Sequence, residues 1–413
     1  MKIVHTADLH IGMEAHGPID PHTGLPKRLD DFLAALDRIV DTAIEEHADL
    51  VIMAGDIYKS RDPSPTHQRA FARRVIKLSQ AGIPVFLLAG NHDIPNAASR
   101  ATSIDIFHEL DVTNVTVARR SDCYRIETAS GPAIIASFPW ITRGALLMNE
   151  EYRSLASGEF DRAVIEYIGD TIQELAGEVK KMRSEPGLRE APALLVAHLH
   201  AQEARDGAER ALTVGTDPLV PVSRLAIDPF DYVALGHIHA YQNLHPGQKI
   251  PVIYPGSIER VNFGEELEDK GFIVAEIARG SCVPDFRKIP ARRFVTIEVN
   301  ALTDDPTAAA LRQIERSREK IPDAVVRVRV RLSAHNEALL DESRIRVALT
   351  GAFWVAEVYR NVDRPERPNI AGRSVEGKSP MELLDDYFSA KQTPADERER
   401  LRAYAARLMS AVS

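Results

Sequence analysis

Five short apolar runs in the first 240 residues break off into oxygen and imidazole donors, and this repeated break constrains the fold more than any other feature. Ile3-Val4 leads into Asp8-Leu9-His10, Asp49 to Met53 into Gly55-Asp56, and Ile83 to Leu88 into Gly90-Asn91-His92-Asp93. Ala193 to Ala197 leads into His198-Leu199-His200, and Tyr232 to Leu235 into Gly236-His237-Ile238-His239. Such runs read as buried strands. Between the first three lie segments of helical spacing, one carrying Phe32, Leu33, Leu36, Ile39, Val40 and Ala43 and one from Arg69 to Ala81. The alternation predicts layered α/β structure, and further runs at Ala133 to Ser137, Val252 to Tyr254 and Gly271 to Ile277 supply strands for two packed sheets. Open sheets gather functional groups beyond the carboxyl ends of their strands, so the five segments are expected to converge.

Charge and cysteine content narrow the classes. Among 413 residues, 51 Lys and Arg face 60 Asp and Glu, a formal charge of −9, which excludes a uniformly basic nucleic-acid coat. Two distant cysteines, Cys123 and Cys282, exclude a disulfide framework or a cysteine zinc ribbon and suit a reducing cytoplasm. No apolar run reaches the roughly 18 residues of a membrane helix. Asp8 and His10 arrive before a signal peptide could develop, so a soluble cytoplasmic protein with no membrane partner is expected.

Near Pro290 the pattern changes to strand, helix (Pro306 to Lys320), strand, helix (Ser343 to Thr350) and strand (Trp354 to Tyr359), a separate small α/β domain. Its middle strand places Arg327, Arg329 and Arg331 on one face, which reads either as a solvated face or as a nucleic-acid contact. Asp363 to Lys378 reads as a linker. Two helices follow, Pro380 to Ala390 and Pro394 to Val412, the first with an apolar stripe of Leu383, Leu384, Tyr387 and Phe388 that must dock on the preceding domain or on another chain. The expected boundaries are 1–290, 291–362, 363–379 and 380–413.

The donor types point to a metal site. Carboxylate, amide oxygen and imidazole without thiolate suit manganese, iron or zinc, and seven donors exceed the needs of one tetrahedral ion. Two ions are the economical reading, with one carboxylate bridging them to promote in-line phosphoryl displacement. Their local positive charge would hold a phosphodiester even on an acidic protein.

Taken in order, Asp-x-His, Gly-Asp, Gly-Asn-His-Asp, a strand-end His and Gly-His-x-His resemble the calcineurin-like metallophosphoesterases. Ala7-Asp8-Leu9-His10-Ile11-Gly12 and Tyr254-Pro255-Gly256-Ser257-Ile258-Glu259-Arg260, followed by Phe263-Gly264-Glu265, narrow the resemblance to SbcD-type nuclease subunits of double-strand-break repair complexes. The motifs cover residues 3 to about 275. The resemblance implies a four-layer β-sandwich flanked by helices, with a smaller C-terminal capping or DNA-binding domain.

Residue by residue, it implies Asp8, His10, Asp56 and His239 around one metal and Asp56, Asn91, His198 and His237 around the other, most simply two Mn2+ per chain. His92 would be the unligated catalytic histidine. Asp93 would either orient His92 or close its turn. His200 competes with His198 for the fourth segment. Lys59 stands where several relatives have histidine, which bears on the balance of exonuclease and endonuclease activity. Lys59, Arg61, Arg100 and Arg260 are expected beside flanking phosphates or in ordinary surface ion pairs.

The implied activity is manganese-dependent cleavage of DNA, exonucleolytic at duplex ends and endonucleolytic on single strands, by a cytoplasmic homodimer. The implied partner is an SbcC-type coiled-coil ATPase docked on the terminal helices, and no Gly-x-x-x-x-Gly-Lys-Ser/Thr segment is present here to supply the ATPase in the same chain. Competing readings are a phosphoesterase for small phosphodiesters or phosphoproteins, and a non-catalytic scaffold.

Overall fold

The computed structural model describes residues 1–95, 101–147, 150–153, 155, 157–205, 217–364 and 378–410. Arg100 and most of the expected linker lie outside the described residues. In chain order the strands of the larger part are β1 (Lys2–Thr6), β2 (Leu50–Ala54), β3 (Val85–Leu88), β4 (Val115–Ala118), β5 (Asp122–Ile126), β6 (Ala133–Phe138), β7 (Ala193–His198), β8 (His200–Ala201), β9 (Leu219–Val220), β10 (Tyr232–Gly236), β11 (Gln242–Asn243), β12 (Val252–Tyr254), β13 (Lys270–Ala278) and β14 (Ser281–Ile289). They form two six-stranded sheets, ordered β14-β13-β1-β2-β3-β4 and β11-β12-β10-β7-β6-β5, with β8 and β9 paired apart.

Three apolar clusters explain the stacking. Ile3, Leu50, Ile52, Phe86 and Leu88 of the first sheet meet Ile135, Leu194, Val196, Tyr232 and Ile253 of the second in a buried core between them. The opposite face of the first sheet, with Val4, Val51 and Leu87, packs on helices Lys27–Glu45 and Pro65–Gln80 through Phe32, Leu36, Phe71 and Val75. Helix Ser157–Met182 covers the second sheet through Val164, Ile168, Ile172 and Val179. The layers therefore run helix, sheet, sheet, helix, and strands buried on both faces read as continuous apolar runs. Truncating Phe86, wholly buried in the middle layer, would cost about 3–5 kcal/mol.

Helix Pro65–Gln80 begins four residues before the expected Arg69, because local chemistry outweighs apolar spacing at its start. The Ser64 side chain accepts from the His67 amide at 3.3 Å, and Pro65 occupies the first turn, where a missing N–H costs nothing. Gly82, at φ +76°, ends it.

Contacts divide the chain into two compact units: residues 1–297 with 316–327 and 349–357, and residues 298–315, 328–348 and 358–413. A three-stranded sheet is ordered β15 (Phe294–Asn300), β16 (Val325–Ser333), β17 (Trp354–Asp363). Within the second unit Arg329 pairs with Glu298 at 3.0 Å and Arg331 with Asp363 at 2.8 Å, so two of the three arginines on that strand face already have carboxylate partners. Within the first, the Arg327 guanidinium lies 4.4 Å from the Phe263 ring centroid. The second unit also holds all but the last residue of helix Pro306–Arg316, and helices Glu342–Ala348, Pro380–Ala390 and Ala395–Ser410. Both cysteines are unpaired, and no helix among the described residues is long and apolar enough to cross a membrane.

Candidate metal centre

β1, β2 and β3 run parallel as neighbours in one sheet, and β7 and β10 run parallel as neighbours in the other. Their carboxyl ends carry the five donor segments to one place. The chain turns sharply there: Asp8, His10, Asp56 and His237 all have positive φ (51°, 43°, 51° and 108°), a conformation that costs non-glycine residues about 1–3 kcal/mol each. Amide hydrogen bonds from Asp8 to the Gly55 carbonyl (3.1 Å) and from His10 to the Asp56 carbonyl (3.0 Å) hold the first two turns together. Close approach requires glycine behind the donors. A Cβ on Gly90 would stand 2.2 Å from Asp56 Oδ1, and one on Gly55, at φ +95°, would stand 2.2 Å from His198 Nδ1.

Among the described residues four groups of donors result, three of them overlapping. Asp8, His10 and His239 offer ligand atoms within 4.8 Å of one another, as do Asp8, Asp56 and His198. The Asp56 carboxylate faces both, with Oδ2 3.9 Å from His10 Nε2 and Oδ1 3.5 Å from His198 Nε2. Asn91 Oδ1 lies 3.0 Å from His198 Nε2 and 3.2 Å from His237 Nδ1. His198 rather than His200 therefore meets Asn91; His200 instead groups with Asp217 and His237.

The far nitrogens of the imidazoles decide what the near ones can do. His198 Nδ1 faces the Ala54 carbonyl (2.8 Å), His92 Nδ1 the Lys59 carbonyl (3.0 Å), His237 Nε2 the Asp217 carboxylate (3.2 Å) and His239 Nδ1 the Glu265 carboxylate (2.8 Å). Each partner is an acceptor, so the far nitrogen carries the proton and the neutral ring turns a lone pair inward. Burial lowers His198 to about 4 and His10 well below its ordinary value, which keeps those rings neutral. The donors lie close together: His10 Nε2 and His239 Nε2 are 2.9 Å apart, and the lone pairs of His198 Nε2 and His237 Nδ1 both face Asn91 Oδ1. Burial, with the charge of Asp56, also pushes Asp8 up to about 7 in the absence of a cation. Converging, buried, electron-rich donors of this kind fit divalent cations, and their spread over overlapping groups is compatible with a binuclear site.

The remaining expected residues are placed as follows. Asp93 does not touch the His92 ring; its carboxylate accepts from the amides of Gly90 (2.9 Å), Tyr58 (3.1 Å) and Ile57 (3.2 Å), closing the turn, while the Lys59 carbonyl orients His92. Arg260 lies among backbone carbonyls. Its guanidinium donates to the carbonyls of Glu265 (3.1 Å), Arg292 (3.0 Å) and Glu268 (2.6 Å), so the group expected beside a phosphate is engaged in holding backbone. Lys59 is half-buried beside Asp56 and His92, and Arg61 is exposed. Sequence reasoning missed Asp217, Glu265, Lys270 and Trp140, whose ring lies 5.0 Å from that of His237. Glu265 and Lys270 are wholly buried, 2.7 Å apart. Burial pushes the Glu265 carboxyl up, but the His239 hydrogen bond and the Lys270 ammonium outweigh it and hold it at about 2.

The sequence matches the family model for the calcineurin-like phosphoesterases over residues 1–241, which include all five donor segments. The chain belongs to the calcineurin-like phosphoesterases. It is accordingly a metal-dependent phosphodiester hydrolase of mixed α/β fold. Curated phosphoesterase relatives include the SbcD subunit of the nuclease SbcCD from Escherichia coli K12 and its counterpart from strain O157:H7, each 25% identical over 408 residues, 97% of this chain and 96% of the relative. Among solved structures, a dimetal phosphatase from Danio rerio aligns with 69% of this chain and 98% of its own at 12% identity and a TM-score of 0.37.

Proposed function

We propose that this phosphoesterase is the nuclease component of an SbcCD-type complex, a manganese-dependent enzyme that hydrolyses DNA as an exonuclease at duplex ends and an endonuclease on single strands. The observation that carries the reading is similarity to the SbcD subunit of the nuclease SbcCD along nearly the whole of both chains, 97% and 96%, together with a complete donor set at the strand ends. In this reading Asp8, His10, Asp56 and His239 would hold one ion and Asp56, Asn91, His198 and His237 the other, with Asp56 common to both sets. Bound divalent cations supply Lewis acidity and positive charge to a phosphodiester. His92, fixed through Nδ1 by the Lys59 carbonyl, turns Nε2 toward Asp56 at 4.0 Å; once Nε2 takes a proton, the imidazolium, with Asp56 favouring its charge, gives that proton to the leaving oxygen. Asp93 acts on the loop rather than on the proton. Lys59 and Arg61 take the flanking phosphates, contacts that position DNA without reading its sequence.

The partner is an SbcC-type ATPase in the cytoplasm, and the chain works as a homodimer. Exposed Leu401, Tyr404 and Leu408 on helix Ala395–Ser410 support that helix as the docking element. The 1–290 region is the nuclease domain, 291–362 the cap and 363–379 the linker. The test is digestion of end-labelled linear duplex by the purified chain in Mn2+. Shortened products that vanish with chelator and in His92→Ser support the reading. Intact DNA alongside hydrolysis of an aryl phosphodiester refutes it in favour of a small substrate.

A further inference from the structure

Of the imidazoles at the centre, His239 has the most elaborate support. Its Nδ1 meets Glu265 Oε1 at 2.8 Å. The other carboxylate oxygen, Oε2, forms an ion pair with Lys270 Nζ at 2.7 Å and accepts from the Val261 amide at 3.0 Å. Lys270 Nζ also donates to Ser257 Oγ (2.8 Å), to Glu268 Oε2 (2.8 Å) and to the backbone carbonyl of His239 itself (3.0 Å). One buried ammonium thus grips both the carboxylate that orients the His239 ring and the backbone that carries it. The Arg260 guanidinium, donating to the Glu265 carbonyl, fixes the loop from its other side.

We propose that Glu265 is a positioning residue for the metal centre, with Lys270 as its clamp: together they lock His239 in the tautomer and orientation that direct its Nε2 lone pair to the ion shared with Asp8 and His10. The proposal rests on the two-ion assignment made above and names residues outside the ligand set. Its logic predicts an unusual consequence of Glu265→Gln. Lys270 and the Val261 amide are donors and require an oxygen at the Oε2 position, so the new amide must turn its NH2 toward His239 Nδ1. That NH2 can only donate, which forces the proton to His239 Nε2 and blocks the ligand lone pair. Glu265→Gln therefore acts on the tautomer, whereas a purely structural role would act on stability alone.

The experiment titrates metal-free protein with Mn2+, following free Mn2+ by electron paramagnetic resonance, and repeats it with Co2+ to read the visible spectrum of each bound ion. Glu265→Gln should weaken one of two binding steps by about 10–100-fold and leave the other within about twofold, as removal of an outer hydrogen-bond partner typically does. Asp217→Asn, altering the carboxylate behind His237, should weaken the other step. Glu265→Asp preserves the charge with a shorter reach and should give a smaller loss; it also serves if Glu265→Gln does not fold. Wild-type affinity at both steps in folded Glu265→Gln or Glu265→Asp, or equal weakening of both steps, overturns the proposal. A wild-type chain that binds two Mn2+ yet leaves DNA intact refutes the nuclease reading alone.

Discussion

His5 gives the protein an acid-labile seam between its two sheets. It sits on β1, three residues before Asp8, and its Nδ1 lies 2.9 Å from the hydroxyl of Tyr232 on β10, with both side chains wholly buried. Burial, only partly offset by the Leu235 backbone, lowers its pKa from 6.5 to about 3. The folded state thus keeps His5 neutral at pH values where the unfolded chain protonates it. Stability is complete above about pH 6.5 and falls as pH drops toward 3, because the unfolded state binds the extra proton. At about 1.4 kcal/mol per pH unit, two units of acidification to pH 4.5 remove about 3 kcal/mol.

His5→Gln abolishes this titration while retaining a side chain able to hydrogen-bond Tyr232. Urea unfolding of both proteins, in chelator so that metal release does not contribute, should show the difference in unfolding free energy, wild type minus variant, shrinking by about 3 kcal/mol between pH 7.5 and pH 4.5. Other titrating groups are common to both proteins and cancel. A difference that stays constant across that range, or a His5 ring that titrates near pH 6.5 by NMR in the folded protein, would refute the reasoning.

Two further perturbations probe the centre and its surroundings. Gly90→Ala places a methyl 2.2 Å from Asp56 Oδ1, so Mn2+ affinity and phosphodiesterase activity should fall at least tenfold, measured by titration and by aryl phosphodiester hydrolysis; normal values would mean that the loop has room the geometry denies. Arg260→Ala removes the guanidinium donors from the carbonyls of Glu265, Glu268, Ala291 and Arg292 and should lower stability by about 1–3 kcal/mol in urea unfolding. The salt dependence of DNA binding should not change, since that slope counts phosphate contacts; a shallower slope would return Arg260 to the phosphate-binding role.

What the sequence made legible follows from where each strand lies. β1, β2, β3, β6, β7, β10, β12 and β13 are interior to their sheets, buried on both faces, and appear as apolar runs. Within the two six-stranded sheets the strands not foreseen, β4, β5, β11 and β14, are the edges. An edge has water beside it, so β14 reads Ser-Cys-Val-Pro-Asp-Phe-Arg-Lys-Ile, with a proline that an interior ladder would not tolerate. The metal donors were legible because each stands immediately beyond an interior strand. Glu265 was noticed only as part of Phe263-Gly264-Glu265, since its contact with His239 bridges 26 residues and no local pattern encodes it. The carbonyl partners of Arg260 were not legible for a related reason: a guanidinium beside a motif looks the same in sequence whether it faces a phosphate or backbone carbonyls.

Asp56 lies at the heart of the account, because its two oxygens face different histidines, Oδ2 toward His10 and Oδ1 toward His198. Asp56→Asn removes one negative charge from each ion's surroundings while keeping the side chain's size. The decisive measurement combines bound Mn2+ per chain with cleavage of end-labelled duplex for wild type and this variant. The account predicts two ions for wild type, no more than one for the variant, and cleavage reduced by at least about a thousandfold, the scale expected when a charge-stabilising element is lost. A variant that still binds two ions and cuts at the wild-type rate would contradict the bridging assignment and the two-metal reading built on it.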